Sequence, residues 1–264
     1  MRYIRLGKSD LNVSRLGLDC NSLGIAQRDH GWDPSSYDGQ VFATRTVHAA
    51  LNAGINIFET SLDTGGGRAE SLLGKALQGM ESGALLAARL CRVDNEHSIE
   101  DTVRASMRRL RADHLDIIYL SDQLARQANP LDSLVDMRAA GLVRHIGLVV
   151  TDPVISQPLV ENGQFAVAEL QLGVPGTETV SMLLDACEKH GVGVSINKPL
   201  ASETLQTLVD GENSENAGGS KAREFCLKHI LCDRRIHLIN LGMRWEHEVA
   251  TNSRLVADLE PACA

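Results

Sequence analysis

The sequence predicts an α/β protein folded as a (β/α)8 TIM barrel, and three observations predict it. Short aliphatic runs alternate with amphipathic stretches eight times along the chain. The length of 264 residues suits such a barrel, which runs to roughly 250 residues as one domain. No linker, repeat or low-complexity run divides the chain, so residues 1–264 are read as one domain.

Residues 1–14 precede the first strand and read as a short β-hairpin turning at Gly7-Lys8-Ser9-Asp10. Strands are expected at 16–21, 56–61, 84–90, 116–121, 145–150, 167–171, 193–197 and 237–242. Helices are expected at 41–53, 68–78, 98–111, 130–140, 153–162, 177–190, 220–231 and 246–259. Ser98 with Asp101 resembles a capping box. Pro130 and Pro153 suit first-turn positions, and Gly54, Gly141 and Gly191 stand where helices end. Lys189 and His190 complement a helix C-terminus. The polar run 210–220 lacks periodicity and reads as a loop.

A formal net charge of −8 argues against a nucleic-acid partner, which requires a basic face. No apolar run approaches the ~18 residues of a membrane span, and Met1–Lys8 contains no apolar targeting core. A cytoplasmic protein is therefore expected. The six cysteines form no CxxC pair and read as reduced thiols; no cysteine or histidine spacing announces a metal site. Two Trp, three Tyr and four Phe are few for a protein that stacks flat ligands.

In such a barrel, chemistry sits at the C-terminal ends of the strands. Those ends carry Asp19, Glu59, Arg89, Ser121, Asp122, Glu169, Gln171, Asn197 and Lys198, with Thr64, Arg244 and Trp245 in the loops that follow. A carboxylate is costly to bury alone. Asp19 therefore reads as a general base or cation ligand, or else as a salt-bridge partner of Arg89. Glu59 and Arg89 read as a structural ion pair or as a substrate clamp, since a guanidinium grips a carboxylate through two parallel hydrogen bonds. Lys198 reads as a partner of Glu169 or as a desolvated nucleophile. Gly65-Gly66-Gly67 reads as a turn into the second helix. Asp122, Asn197, Lys198 and Trp245 are the expected substrate contacts.

Stretches 1–24, 50–61, 65–77, 106–120, 141–147 and 191–200 resemble the aldo-keto reductases, in particular the aldose and galactose dehydrogenase group. Ala-Gly-Ile-Asn-Ile-Phe-Glu-Thr-Ser and Gly-Leu-Val-Arg-His-Ile-Gly are among the matching runs. The resemblance implies the same barrel, here with shortened rim loops, and NAD(P)H acting with an Asp, a Tyr, a Lys and a His. Carried over one by one, those positions hold Glu59, Thr64, Arg89 and Ser121. An arginine cannot give up its proton, and an aliphatic hydroxyl is too weak an acid to replace a phenol. Where the family holds the nicotinamide with Ser-Asn, this chain has Val149-Val150. Gln171 and Asn252 match cofactor contacts, and Arg244 suits a phosphate that Glu246 and Glu248 would repel.

With this degenerate tetrad no cofactor is expected; NADP(H), held by Gln171, Arg244 and Asn252, is the alternative. The expected function is acid/base chemistry without hydride transfer, on a small polar or zwitterionic metabolite of specialised metabolism. Glu59, Arg89, Asp19, Ser121 and Thr64 form the expected catalytic set. One alternative is a pseudoenzyme that partners another biosynthetic enzyme. A second is an NAD(P)H-dependent oxidoreductase of altered mechanism; an iminium, for example, arrives already protonated.

Overall fold

The computed structural model describes residues 1–27, 31–62, 65–80, 83–93, 98–170, 178–199 and 217–263. The strands are β1 (Tyr3–Arg5), β2 (Asn12–Ser14), β3 (Leu16–Asp19), β4 (Ile57–Ser61), β5 (Leu85–Leu90), β6 (Leu115–Ser121), β7 (Val143–Val150), β8 (Val167–Leu170), β9 (Gly193–Asn197) and β10 (Leu238–Leu241). The helices are α1 (Asn21–Gly24), α2 (Tyr37–Asn52), α3 (Arg68–Leu77), α4 (Ile99–Leu110), α5 (Asp122–Ala125), α6 (Ala128–Ala139), α7 (Pro153–Glu161), α8 (Glu178–His190), α9 (Ala217–Leu231) and α10 (Glu246–Leu259). Strands β3 to β10 close a parallel barrel, with β10 paired to both β9 and β3, and β1 and β2 form the expected antiparallel hairpin.

The helix starts follow their caps. The Ser98 hydroxyl accepts from the Asp101 N–H and opens α4. Asp152 caps α7 ahead of Pro153. Ser36 caps α2, which therefore begins four residues before the expected 41. Helix α9 begins at Ala217, inside the run expected to be a loop; residues 210–216 lie outside the described residues. The short helices α1 and α5 were not expected. Gly65–Gly67 form a 3-10 turn into α3 with φ of 65°, 61° and 77°, the left-handed region that glycine alone enters freely.

Two cores result. One lies between the barrel and its helices, and includes Leu16, Leu18, Phe58, Leu90, Ile118, Leu148, Ile196 and Ile239. The other fills the lower lumen with Ile57, Ala87, Ile117, Val167 and Leu238, on which Leu6, Leu11 and Val13 of the hairpin pack. Gly7 makes this plug possible: its φ is 57°, and a Cβ there would stand 2.3 Å from the Gly193 nitrogen. Cys232 is disulfide-bonded, which corrects the expectation that all six cysteines are reduced; Cys20, Cys187 and Cys226 are free thiols. No helix among the described residues is long and apolar enough to cross a membrane.

Candidate active site

Side chains alternate along a strand, so every second residue faces the lumen. Two positions above the apolar floor of Ile57, Ala87, Ile117, Val167 and Leu238, the same parity delivers Glu59, Arg89, Tyr119, Glu169 and Asn240. Asp19 joins them from β3, and Ser195 and Asn197 from β9. This polar layer is almost fully buried: Glu59, Glu169, Asn197 and Asn240 are 0% exposed, Arg89 5% and Asp19 4%.

Arg89 is the centre of the layer. Its Nε lies 3.0 Å from Glu59 Oε1, its Nη1 3.6 Å from Glu169 Oε1 and its Nη2 3.7 Å from Asp19 Oδ2. Asn197 Nδ2 donates to Glu59 Oε1 at 2.7 Å and to Glu169 Oε2 at 3.4 Å. Asn240 Nδ2 donates to Glu59 Oε2 at 2.7 Å and to Ser195 Oγ at 3.2 Å. Asp19 Oδ1 accepts from the backbone and side-chain amides of Asn21 at 3.0 and 2.7 Å.

Burial pushes the Glu59 carboxyl well above the usual carboxylate range; Glu169, hydrogen-bonded to it, pushes the same way, while Arg89 opposes. Like charges in contact cannot both ionise cheaply. Burial alone would lower the Arg89 pKa, but Glu59, Glu169 and Asp19 more than reverse this, so the guanidinium stays charged. Burial, with Glu59 and Glu169, also raises the Tyr119 phenol well above its usual range.

The structure thus brings Asp19, Glu59, Arg89 and Asn197 together. Ser121 is the cap of α5, its hydroxyl accepting from the Leu124 N–H. The Asp122 carboxylate accepts from Thr151 N, Thr151 Oγ1, Asp152 N and Ser156 Oγ, so it ties β6 to the β7–α7 turn. Lys198 is exposed at the end of β9 with φ of 53°; Glu169 faces Arg89 instead. Trp245 packs edge-on against buried Trp32, with ring centroids 5.1 Å apart. Thr64 and Gln171 lie outside the described residues. The sequence reading left Tyr119, Ser195 and Asn240 out of the site and gave Glu169 a different partner. Strand parity, counted down from Glu59 and Arg89, was the signal that would have found them.

The unit β10–α10 bears on a nucleotide. The Glu248 carboxylate folds back to accept from the backbone N–H groups of Arg244 and Trp245, and Glu246 pairs with Arg45 at 2.9 Å. Both acids expected to repel a phosphate are therefore engaged within the protein. Arg244 Nε, Asn252 Oδ1 and Ser253 Oγ are buried without a hydrogen-bond partner among the described residues. A guanidinium donor, an amide and a hydroxyl suit a nucleotide's phosphate and base, so this end fits a dinucleotide. Val149, packed in the lumen core, offers an apolar wall rather than a hydrogen bond.

A family description, "Aldo/keto reductase family", matches residues 22–257. The chain is 25% identical to the L-galactose dehydrogenase of Arabidopsis thaliana over 97% of this chain and 88% of that protein. It is 22% identical to the NADH-specific methylglyoxal reductase of Escherichia coli (strain K12), over 93% and 80%. It shares its fold, at a TM-score of 0.72 and 15% identity over 99% and 94%, with an aldo-keto reductase from Klebsiella pneumoniae solved in complex with NADPH. These findings correct two expectations. A barrel turned away from hydride chemistry does not stand against relatives that are a dehydrogenase and a reductase. The expected lack of a cofactor does not stand against the family match and a relative named as an NADH-specific reductase.

Proposed function

The chain belongs to the aldo/keto reductase family, and on that premise we propose that it is an NAD(P)H-dependent oxidoreductase of small polar carbonyl compounds. In this reading Glu59, Thr64, Arg89 and Ser121 occupy the family's four catalytic positions. One observation carries it: a guanidinium fixed among Asp19, Glu59 and Glu169 at the top of the lumen. When bound, the cofactor supplies the hydride. Arg89 binds the carbonyl oxygen and stabilises the negative charge that develops on it, which a preorganised donor in a dry site does well. Arg89 keeps its proton throughout, so the proton taken by the oxygen comes from the carboxyl cluster. Arg244, Asn252 and Ser253 hold the nucleotide, with Gln171 in the same set. Lys198 and Trp245 orient the substrate at the rim, Asn197 holds Glu59 and Glu169 beneath it, and Val149 helps exclude water.

The test is a titration with NADPH and NADH followed by reduced-nicotinamide fluorescence, then turnover of small hydroxyaldehydes followed by loss of nicotinamide absorbance. Micromolar binding is expected, with Arg89→Leu lowering kcat by about 10²–10³-fold. Failure of both nucleotides to bind overturns the reading.

A further inference from the structure

The polar layer contains more acid than its one arginine offsets. Asp19, Glu59 and Glu169 face Arg89 in a region where each is at most 4% exposed. Arg244 is the next cation, near enough to interact with Asp19. Three ionised carboxylates would leave the layer net negative in a low-dielectric interior, which is costly. One proton shared by two carboxyl groups balances it: Asp19 and the pair are then negative, and Arg89 and Arg244 positive. The two groups in position to share it are Glu59 and Glu169. They are hydrogen-bonded to each other, and the Asn197 amide reaches both.

Resting on the function proposed above, we propose that Glu169 is a positioning residue of the active site: it shares one proton with Glu59, and the joined pair fixes the direction of the Arg89 guanidinium. The geometry supports the sharing on each side. Both Glu59 oxygens accept from asparagine amides, whereas Glu169 Oε1 has no hydrogen-bond partner among the described residues. Arg89 spans the pair, with Nε on Glu59 and Nη1 on Glu169. Around them stand Asp19 and Cys20 of the first barrel strand and its end, Arg89 and Cys91 at β5, and Tyr119 of β6. The Cys20 thiol and Tyr119 phenol are both pushed up by burial and remain neutral. The Glu59 carboxyl, raised by burial and by the neighbouring Glu169, is therefore the group whose charge changes as pH rises. Once it loses its proton, a second negative charge pulls on Arg89 and the guanidinium no longer points in one direction.

The experiment has two parts. Infrared spectra of cofactor-free protein, unlabelled and carrying 13C-labelled glutamate, are expected to show the carbonyl stretch of a protonated glutamic acid at neutral pH. This band should disappear in Glu169→Gln. The pH profile of kcat is expected to fall on the alkaline side in the wild type. Glu169→Gln, an uncharged hydrogen-bonding replacement, removes the shared proton; it should lower turnover at neutral pH and flatten that fall. Glu169→Leu should lower kcat by about 10²-fold, the cost of a misplaced group, with nicotinamide binding retained. Absence of the acid band from the wild type at neutral pH overturns the proposal, and this measurement requires no variant to fold. An unchanged alkaline fall in Glu169→Gln also overturns it. Loss of nicotinamide binding in the wild type would instead overturn the oxidoreductase reading, leaving the infrared band to decide the shared proton.

Discussion

Arg89 is one cation among three carboxyl groups, and removing it tests what the arrangement is worth. Breaking a buried pair by deleting one partner costs about 3–5 kcal/mol, because the remaining charge is left uncompensated. Arg89→Ala is therefore expected to lose about that much stability at pH 8 by urea denaturation. The pH dependence has a definite sign. The Glu59 carboxyl titrates higher in the folded chain than its ordinary 4.5. A folded state that binds a proton more tightly loses stability as pH rises through the interval between the two values. Without Arg89 that interval extends upward, so the variant should recover part of its loss at pH 5.5. An equal loss at both pH values would show that the carboxyls do not depend on the arginine. Lysine is not an equivalent replacement, since a single ammonium cannot span Glu59, Glu169 and Asp19 as a planar fork does.

At the scale of elements, the pairing of β9 with β10 contains a titrating hydrogen bond. His237 Nδ1 accepts from the Val194 N–H at 3.2 Å, which requires a neutral imidazole. Burial lowers the His237 pKa below its ordinary 6.5. The unfolded chain then binds the proton more readily, so this stabilisation is present above about 6.5 and is lost as pH falls below it. The wild type should be less stable at pH 5.5 than at pH 7.5 by chemical denaturation, and His237→Asn, whose oxygen accepts without titrating, should lessen the difference. An undiminished difference in that variant would assign the effect elsewhere. The elements themselves were largely legible. Where a cap residue stood ahead of a periodic run, as at Ser98, the helix start was read within a residue. Helix α2 started early because its cap, Ser36, precedes a polar first turn with no apolar signal. Helix α9 was missed at its start because Gly218, Gly219 and Ser220 have the composition of a loop. Asp19, Glu59 and Arg89 were found because they stand at strand ends. Tyr119, Ser195 and Asn240 stand just as near their strand ends but carry no charge, and only the lumen joins them to the others. The misjudged cofactor site had a physical cause too: sequence shows the charge of Glu248, but not that its carboxylate turns back onto the amides of its own helix start.

Across the whole molecule, the lumen is divided into an apolar lower half sealed by the hairpin and a polar upper half where the proposed chemistry sits. The division makes stability and function separable from opposite ends of one barrel. Leu6 is fully buried at the plug, and truncating a buried leucine to alanine costs about 2–5 kcal/mol, according to how far the site collapses. The hairpin is also pinned by Asp10, whose carboxylate meets His145 and Arg144 at 2.6 and 2.9 Å. Those partners, His145 first, hold its pKa at about 2. Its contribution is therefore present above the ordinary carboxylate pKa and is lost only as pH falls from there toward 2. Asp10 is largely exposed, so solvent screens the pair, and Asp10→Asn should cost no more than about 1 kcal/mol at neutral pH. Leu6→Ala is expected to lower the urea midpoint severalfold more than Asp10→Asn. In both variants nicotinamide binding and kcat should stay at wild-type values under conditions where the chain remains folded. A Leu6→Ala protein that is folded but has lost turnover would show that the polar layer relies on the plug beneath it for its geometry, and that the two halves of the lumen are coupled rather than separate.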